Sequence, residues 1–440
     1  MIFDRIESQV RSYCRAFPVV FQRAQGSLLF DENGRRYIDF FAGAGALNYG
    51  HNHPAIRERL IEYLRSDGVI HSLDMFTPAK RDFLQAMENL ILKPLSLDYK
   101  IQFPGPTGTN AVEAAIKLAR KVTGRAGVIA FTNGYHGMTA GALALTGNSY
   151  HRRVAGSMLG HSHFMPYDGY FGPDVDTADY LERFLVDESS GVDLPAAILL
   201  ETVQGEGGIH VAKSQWLRRI EQICRRLGIL LIVDDIQAGC GRTGSFFSFT
   251  QAGILPDMVA LSKSLGAYGL PLSVVLIRPH LDCWDPGEHN GTFRGNNLAF
   301  AAAAEAIRLF WADDRFALSI QRKAAVVRRN LELLLRTLPP HTAVVRGRGL
   351  MCGMAFEEHC GLARKITAAA FDRGLVLETC GAQDQVVKLL PPLTTDENLL
   401  AEGVAILGQC IDAVMQNHPP SNKPLSPSRR QQPVKQENLT

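Results

Sequence analysis

Lys263 directly follows a short apolar stretch, residues 258–262, and precedes a loop that contains Gly266. A lysine that leaves a buried strand into a partly desolvated site has its charged form disfavoured. Its uncharged amine can then attack a carbonyl carbon and form a Schiff base. Most lysines that follow a strand point to solvent, so this interpretation depends on further groups of matching chemistry.

Two neighbouring acids, Asp234 and Asp235, end the apolar run 229–233. Consecutive side chains of an extended chain point to opposite faces, so only one of them should face a ligand. A carboxylate there can hydrogen-bond a ring nitrogen and keep it protonated, which makes the ring an electron sink. A metal site is less consistent with the sequence, because no third ligand follows at suitable spacing.

A turn rich in glycine and threonine, residues 104–110, precedes a segment with helical spacing of apolar residues. Glycines let backbone N–H groups approach an anion closely, and the start of a helix adds partial positive charge. Gly108 and Thr109 are therefore candidate phosphate-binding residues. An ordinary capped helix after a turn explains the same pattern equally well.

Two further motifs also follow apolar runs. Tyr135 and His136 come after the run 127–131, where an aromatic ring can stack on a planar ligand and a histidine can support it. Glu206 lies between two glycines after the run 196–200, which indicates a carboxylate presented to a cavity. The plain alternatives are a packed tyrosine and a solvated acid.

The elements that position these residues alternate between short apolar strands and helices. Repeated βαβ units predict a doubly wound, mostly parallel α/β sheet, with its ligand at the carboxyl ends of the strands. We expect a large domain at residues 55–305, and a smaller α+β domain formed by residues 1–54 and 306–416. Residues 27–41 predict a hairpin. The runs predicted as sheet strands are 127–131, 196–200, 229–233, 258–261 and 273–277.

Composition excludes several functional classes. The chain has 440 residues, and 46 Lys and Arg residues nearly balance 44 Asp and Glu residues. This balance gives no argument for nucleic acid or an anionic membrane as a partner. Eight cysteines without a Cys-x-x-Cys pair, and an N-terminus without a secretory pattern, favour a cytoplasmic protein with reduced thiols. The polar segment 417–440 is expected to be disordered.

Together these stretches resemble the class III pyridoxal phosphate aminotransferases of fold type I. The resemblance covers nearly the whole chain before the polar tail. It implies a homodimer or larger assembly of the α/β fold described above, and a reaction in which an amino donor and a keto acid bind in turn. The four matching segments are residues 107–111, 133–137, 234–244 and 262–266.

The resemblance also implies roles for individual residues. Lys263 would bind the cofactor, pyridoxal 5'-phosphate, covalently and then move a proton on the substrate. Asp234 would pair with the ring nitrogen and Gln237 would contact the ring oxygen. The other implied contacts are Ile236 and Tyr135 on the two ring faces, His136 beside Tyr135, Gly108 and Thr109 at the phosphate, Thr292 reaching the phosphate of the neighbouring subunit, and Glu201 and Arg242 as structural support.

Two departures from the family pattern bear on the substrate. Met138 stands where relatives that use ornithine or GABA usually have an arginine, and Lys388 replaces the family's carboxylate-binding arginine. Lysine is a weaker, non-bidentate partner for a carboxylate. These choices are similar to those of the diaminobutyrate:2-oxoglutarate aminotransferases. We expect Lys388 and Arg294 to bind substrate carboxylates, and Glu206 to help the site switch between dicarboxylate and diamine substrates.

Three other functions remain open from the sequence. The first is another ω-aminotransferase, acting on ornithine, GABA, lysine or acetylornithine. The second is an aminomutase of the same fold, which would need no keto acid acceptor. The third is a catalytically silent binding protein, which the joint presence of Lys263, Asp234 and Gln237 argues against.

Overall fold

A computed structural model describes residues 1–153, 155–156, 159–356 and 361–417. The segment expected to be disordered, residues 417–440, lies outside this range except for Asn417. Among the described residues the strands, in chain order, are β1 (Phe21–Gln25), β2 (Leu28–Asp31), β3 (Arg36–Asp39), β4 (Lys100–Gln102), β5 (Val128–Phe131), β6 (Ser162–Met165), β7 (Ala197–Leu200), β8 (Val203–Gln204), β9 (His210–Val211), β10 (Leu230–Asp234), β11 (Met258–Leu261), β12 (Val274–Ile277), β13 (Val344–Arg348), β14 (Met351–Ala355), β15 (Leu375–Val376), β16 (Glu378–Cys380) and β17 (Val386–Leu389).

The helices connect and cover these strands. They are α1 (Ile2–Ile6), α2 (Tyr13–Ala16), α3 (Ala42–Gly45), α4 (Pro54–Arg65), α5 (Pro78–Ala86), α6 (Gly108–Thr123), α7 (Ala140–Ala144), α8 (Ser149–Arg152), α9 (Thr177–Val186), α10 (Ser214–Leu227), α11 (Asn297–Trp311), α12 (Arg315–Thr337), α13 (Leu362–Asp372) and α14 (Glu397–Asn417). A π-helical turn at Met87–Leu92 continues α5, and short 3₁₀ turns occur at Thr250–Ala252, Lys263–Gly266 and Pro279–Leu281.

A seven-stranded sheet forms the centre of the molecule, in the order β4-β12-β11-β10-β7-β5-β6. The prediction of a mostly parallel sheet is confirmed, since β11, β10, β7, β5 and β6 run parallel to one another. The run 273–277 is the exception. It forms β12, which is antiparallel to both neighbours, so its prediction as a strand of the parallel set was wrong. The short connection 262–273 contains no crossover helix, which a parallel pair would need.

Both faces of this sheet are covered, as a doubly wound fold requires. Ile232 of β10 packs in the same apolar cluster as α6, whereas Leu231 and Val233 pack with α10. This split follows from the two-residue period of a strand. Helix α10 ends at Gly228, which adopts the left-handed conformation with φ of 61°. The polypeptide then enters β10 directly.

A smaller region combines both ends of the chain. The predicted hairpin is present, since β2 and β3 pair antiparallel. β3 also pairs parallel with β15 from the C-terminal segment, so the first and last parts of the chain share a sheet. A second sheet has the order β13-β14-β17-β16. The domain boundaries at residues 54, 305 and 416 stay predictions.

Helix α14 is long and apolar enough to cross a membrane, and within the described ranges it is the one helix that meets this criterion. It contacts α12 and α13, and its apolar side chains enter the main core. The buried members include Leu400, Val404 and Leu407. Packing against the protein therefore accounts for the apolar character of this helix.

Candidate active site

The predicted site residues follow four neighbouring strands of the central sheet. β11, β10, β7 and β5 are adjacent and parallel. Their carboxyl ends lie at one edge of the sheet, followed by Lys263, Asp234, Glu201 and the segment that contains Tyr135, respectively. This edge is where doubly wound folds bind ligands. The convergence expected from the sequence is present.

Lys263 begins a 3₁₀ turn in a left-handed backbone conformation, with φ of 48°. Burial lowers the pKa of its amine below the ordinary value, although the Glu206 carboxylate opposes this shift. Across the described ranges, its amine has no hydrogen-bond or ion-pair partner. The flanking serines fix the turn: Ser262 Oγ donates to Leu272 O at 2.9 Å, and Ser264 Oγ donates to Gly45 O at 2.7 Å. The turn is thus anchored on both sides, while the Lys263 amine has no partner among the described residues.

Asp234 is buried at the end of β10 and forms an ion pair with His136. His136 Nδ1 lies 2.7 Å from Asp234 Oδ2, while the Ile236 N–H donates to Oδ1 at 3.2 Å. Burial would lower the pKa of His136, but the hydrogen bond and charge of Asp234 raise it above its ordinary value. Each carboxylate oxygen can accept more than one hydrogen bond, so Asp234 keeps acceptor capacity for a ligand.

Two other buried acids, Asp235 and Glu201, have hydrogen-bond partners that differ from those of Asp234. Asp235 accepts a hydrogen bond from Ser248 N at 3.0 Å, and burial raises its pKa to about 6. Glu201 accepts from the N–H groups of Tyr135 and Gly205, and burial raises its pKa to about 7. The Asp235 Oδ2 atom is held by the Ser248 backbone, whereas its buried Oδ1 has no hydrogen-bond partner among the described atoms. Glu201 links the loops that follow β5 and β7.

The first turn of α6 has close neighbours at the predicted phosphate site. A Cβ atom at Gly108 would lie 2.9 Å from Ile236 Cδ1, and one at Gly137 would lie 2.4 Å from Thr109 Oγ1. Thr107 and Asn110 also form a capping box at this helix start. The capped-helix alternative and the phosphate site are therefore compatible, because the cap satisfies only part of the first turn.

Gln237 joins the sheet edge to the glycine-rich segment of the N-terminal region. Its Nε2 donates to Ala44 O at 3.0 Å and to Glu206 Oε1 at 2.9 Å. Its buried Oε1 has no partner among the described atoms. Buried polar atoms are normally paired, so this oxygen keeps its acceptor capacity for a ligand.

Glu206 and Lys388 form an ion pair in the same region. Lys388 Nζ lies 2.7 Å from Glu206 Oε1, and Lys388 is fully buried while 28% of the Glu206 side chain is exposed. Burial would raise the pKa of Glu206, but the charges of Lys388 and Lys263 lower it to about 2. Burial also disfavours the charged form of Lys388, yet the two adjacent glutamates raise its pKa well above its ordinary value.

The sequence interpretation missed Glu378. Its Oε1 lies 2.7 Å from Lys388 Nζ, and the side chain is 8% exposed. Burial raises its pKa to about 7, although Lys388 opposes the shift. An acid within the otherwise apolar stretch 375–380 was the available signal. Tyr13 of α2 was also missed; burial and then the charge of Glu378 raise its pKa well above the ordinary value.

Thr292 and Arg294 lie apart from these contacts within the chain. The Thr292 carbonyl accepts from His71 Nε2 at 2.9 Å. Arg294 contacts Asn290 Oδ1 at 3.1 Å and Asp74 Oδ2 at 3.8 Å. The single chain thus does not bring Thr292 or Arg294 to Lys388, and their roles stay predictions.

Arg242 connects three segments of the chain through its side-chain hydrogen bonds. It is fully buried, and it donates to Leu350 O at 3.1 Å, Pro391 O at 2.5 Å and Asn48 Oδ1 at 2.5 Å. Burial lowers its pKa to about 9. These hydrogen bonds connect the N-terminal segment, the loop after β10 and the segment after β17, which fits the expected structural role.

The profile of the family described as "Aminotransferase class-III" matches residues 10–411. The chain belongs to the class III aminotransferases. Members of the family use pyridoxal phosphate, and the residues of this class III aminotransferase fit that group. They supply an unpaired lysine amine, a buried acid with free acceptor capacity, an unpaired Gln237 oxygen and a helix start closely approached by Ile236.

Several curated relatives of this class III aminotransferase carry one name, "Diaminobutyrate--2-oxoglutarate transaminase". The protein of Bordetella parapertussis is 56% identical over 419 residues, which is 95% of this chain and 96% of that protein. The protein of Halalkalibacterium halodurans is 56% identical over 415 residues, covering 94% and 97% respectively. That of Virgibacillus pantothenticus is 57% identical over 415 residues, covering 94% and 99%.

Two solved structures of other proteins have the same fold as this chain. The ornithine aminotransferase of Toxoplasma gondii is 28% identical, with a TM-score of 0.82 and coverage of 94% of both chains. A transaminase from a marine Virgibacillus has a TM-score of 0.84 at 21% identity, covering 94% of this chain and 98% of that one, which supports the fold alone. The prediction of a fold type I α/β transferase is therefore confirmed for this class III aminotransferase.

Proposed function

We propose that this protein transfers the 4-amino group between L-2,4-diaminobutyrate and 2-oxoglutarate, with aspartate 4-semialdehyde and glutamate as the other pair. The observation that carries the proposal is the shared name of relatives that are 54–57% identical over nearly the whole chain. We further propose that the reaction runs towards diaminobutyrate, with glutamate as amino donor. The active-site contacts are consistent with this chemistry.

Pyridoxal phosphate, when bound, carries the amino group between the two substrates and withdraws electrons from the reacting carbon. The residues proposed to hold it are Gly108 and Thr109 at the phosphate, Tyr135 and Ile236 on the ring faces, Asp234 at the ring nitrogen, Gln237 at the ring oxygen, and Lys263 at the aldehyde. His136 would orient the Asp234 carboxylate through the 2.7 Å contact.

Lys263 is proposed to act twice. Its amine would hold the cofactor when no substrate is present, and it would remove the proton from the donor carbon that bears the amino group in one half-reaction and deliver a proton to the keto carbon of the acceptor in the other. Burial, which lowers the pKa of this amine, increases the uncharged fraction that can do either task at neutral pH. The contact of Asp234 with His136 would hold the Asp234 carboxylate in place to hydrogen-bond the ring nitrogen.

Glu206 and Lys388 are proposed to adapt the site to its two substrates. While Glu206 pairs with Lys388, the site presents a carboxylate that suits the α-ammonium of a diamino acid. When Glu206 turns away, the Lys388 ammonium can bind a carboxylate of glutamate or 2-oxoglutarate. Arg294 is proposed as the second carboxylate-binding group.

The proposed assembly is a homodimer in the cytoplasm. Thr292 would reach the phosphate site of the neighbouring subunit, so one chain would leave each site incomplete. Arg294 belongs to the same segment, 291–297, and would act across the same interface. Two residues of this segment, Thr292 and Phe293, are exposed in the single chain.

A donor panel tests the proposed function. Purified holoenzyme is supplied with 2-oxoglutarate and, separately, with diaminobutyrate, ornithine, GABA, lysine or β-alanine, and glutamate formation is measured. We expect diaminobutyrate to give the highest kcat/KM, and Lys263→Ala to abolish the reaction. A preference for another donor would refute the proposed substrate.

Ornithine is the second candidate donor, because the ornithine aminotransferase of Toxoplasma gondii shares 28% identity over 94% of this chain. The same panel separates the two donors. Omission of 2-oxoglutarate separates both from an aminomutase, which would convert its substrate without an acceptor.

A further inference from the structure

Glu378 occupies a fixed place beside Lys388. The two residues are direct partners in the antiparallel ladder between β16 and β17. The ladder fixes both backbones, and the Glu378 side chain is 8% exposed while that of Lys388 has no exposure. Directly opposed side chains in a sheet remain neighbours as long as the strands stay paired.

Glu206 is the more exposed of the two acids that contact Lys388. It lies on a loop between Gly205 and Gly207, and 28% of its side chain is exposed. Because Glu206 is the more exposed acid, we expect a substrate carboxylate to displace it first, whereas Glu378 lies 2.7 Å from Lys388 and opposes it in the strand ladder. When a substrate carboxylate displaces Glu206, Lys388 would therefore bind that carboxylate while it still contacts Glu378.

We propose that Glu378 is a specificity-determining residue, whose carboxylate sets the net charge that a substrate carboxylate meets at Lys388. The inference rests on the proposed function in that the site must accept both a dicarboxylate and a diamino acid. An ionised Glu378 offsets the attraction of Lys388 for a carboxylate and favours the diamino acid. A neutral Glu378 leaves Lys388 free to bind a dicarboxylate.

The charge of Glu378 depends on the groups that face it. These are Lys388 on β17, Glu206 on the loop after β8, Lys263 at the start of its 3₁₀ turn, Tyr13 on α2 and Cys380 on the same strand. Burial outweighs the two lysines and raises the pKa of Glu378 to about 7. Dicarboxylates should therefore bind more tightly at pH 6, where Glu378 is protonated, than at pH 8.

Glutarate is a suitable probe, because this dicarboxylate has neither an amino nor a keto group and cannot react. Its dissociation constant is measured by calorimetry with the holoenzyme between pH 6 and pH 8. We expect the wild-type affinity for glutarate to fall roughly tenfold between pH 6 and pH 8. The reason is that Glu378 becomes ionised and its negative charge offsets the attraction between Lys388 and the glutarate carboxylate. Glu378→Gln should bind tightly and almost independently of pH, whereas Glu378→Asp should keep the slope.

Glu201 also titrates near pH 7, so only the difference between wild type and Glu378→Gln identifies Glu378. Equal slopes in the two proteins would overturn the proposal. Should Glu378→Gln not fold, calorimetry of the wild type and of Glu201→Gln in two buffers of different ionisation enthalpy decides the point, since glutarate binding at pH 7 must take up protons in both proteins. Absence of proton uptake would overturn it.

A readout in turnover links the inference to specificity. Glu378→Gln should lower KM for 2-oxoglutarate and raise KM for the diamino donor, whereas a purely structural defect would impair both substrates alike. Glutarate binding does not depend on the identity of the amino donor. Failure of the donor panel and failure of this inference are therefore separate results.

Discussion

At the scale of single residues, Asp234 and Asp235 have the same side chain but different partners, because they occupy neighbouring positions on an extended chain. Both end the same strand and both are buried, yet Asp234 pairs with His136 while Asp235 accepts from the backbone of Ser248. The alternation of an extended chain sends the two carboxylates to opposite sides. Asp234 would then be left for the proposed ligand, while Asp235 holds the loop that follows β10.

Lys388 is the residue whose charge the proposed function needs most. Lys388→Met should raise KM for glutamate by about 10-fold or more, because a charge-assisted hydrogen bond contributes about 1.5–3 kcal/mol. Affinity for pyridoxal phosphate should change far less. Steady-state kinetics with varied glutamate, together with cofactor titration of the apoenzyme, provide the measurement.

Lys388→Arg is the matched control, since it keeps the positive charge at the same position. Its KM for glutamate should stay within a few fold of the wild-type value. An unchanged KM in Lys388→Met would remove Lys388 from the substrate site.

At the scale of elements, the start of α6 and the loop after β10 form one unit. Gly108 opens the helix, and a Cβ atom there would lie 2.9 Å from Ile236 Cδ1. The absence of a side chain at Gly108 thus allows Ile236 to extend towards the proposed ring site. Two elements far apart in sequence depend on each other through this contact.

Gly108→Ala should displace Ile236 and weaken pyridoxal phosphate binding by roughly tenfold, the size of effect that an overpacked contact of 1–2 kcal/mol gives. Cofactor titration followed by absorbance measures the change. Gly124→Ala, at the other end of α6, is the control. Its Cβ would meet nothing within 4 Å, so the positive φ of 69° should cost about 1 kcal/mol of stability without weakening the cofactor.

At the scale of the whole molecule, exposed apolar side chains accompany the segments proposed to cross the subunit interface. Phe76 is 100% exposed, Met75 58% and Phe293 67%. Large side chains of this kind at one surface are typical of contacts between subunits. Thr292 is adjacent to Phe293, which connects this surface to the proposed phosphate contact.

Light scattering should therefore give a mass about twice that of the 48.3 kDa chain, or a larger even multiple. Phe76→Asp should shift the assembly towards the monomer and reduce activity in parallel. Phe171→Asp, which changes another exposed aromatic residue, should leave the mass unchanged. A fully active monomer would contradict the proposed sharing of Thr292.

The buried acids determine how stability depends on pH. Burial raises the pKa values of Glu201 and Glu378 to about 7 and that of Asp235 to about 6. The folded protein retains these protons where the unfolded chain has released them, so stability is lost as pH rises from about 4 to about 7. Glu206, with its pKa lowered to about 2, acts in the opposite direction only below about pH 4.5.

Thermal unfolding midpoints should accordingly fall between pH 5 and pH 7.5. Asp235→Asn removes one of the three groups and should reduce the loss of unfolding free energy between pH 4 and pH 7 by roughly 3 kcal/mol. Identical pH profiles for the variant and the wild type would show that Asp235 does not titrate as inferred.

The sequence by itself determined the local chemistry of this protein. Apolar runs followed by Lys263, Asp234 and Tyr135 predicted strand ends, and strand ends of a parallel sheet must meet at one edge. The direction of β12 was not determined, because a strand buried on both faces has the same apolar pattern in either direction.

Only the tertiary structure decided which residues that are distant in sequence form ion pairs and hydrogen bonds with one another. Glu378 and Lys388 meet through strand register, and Gln237 meets Glu206 through a loop packed beside the sheet. Such contacts depend on backbone pairing and on burial, which also shifts the pKa values of the acids involved. The candidate site residues could therefore be identified from the sequence, whereas their electrostatic environment depends on the fold.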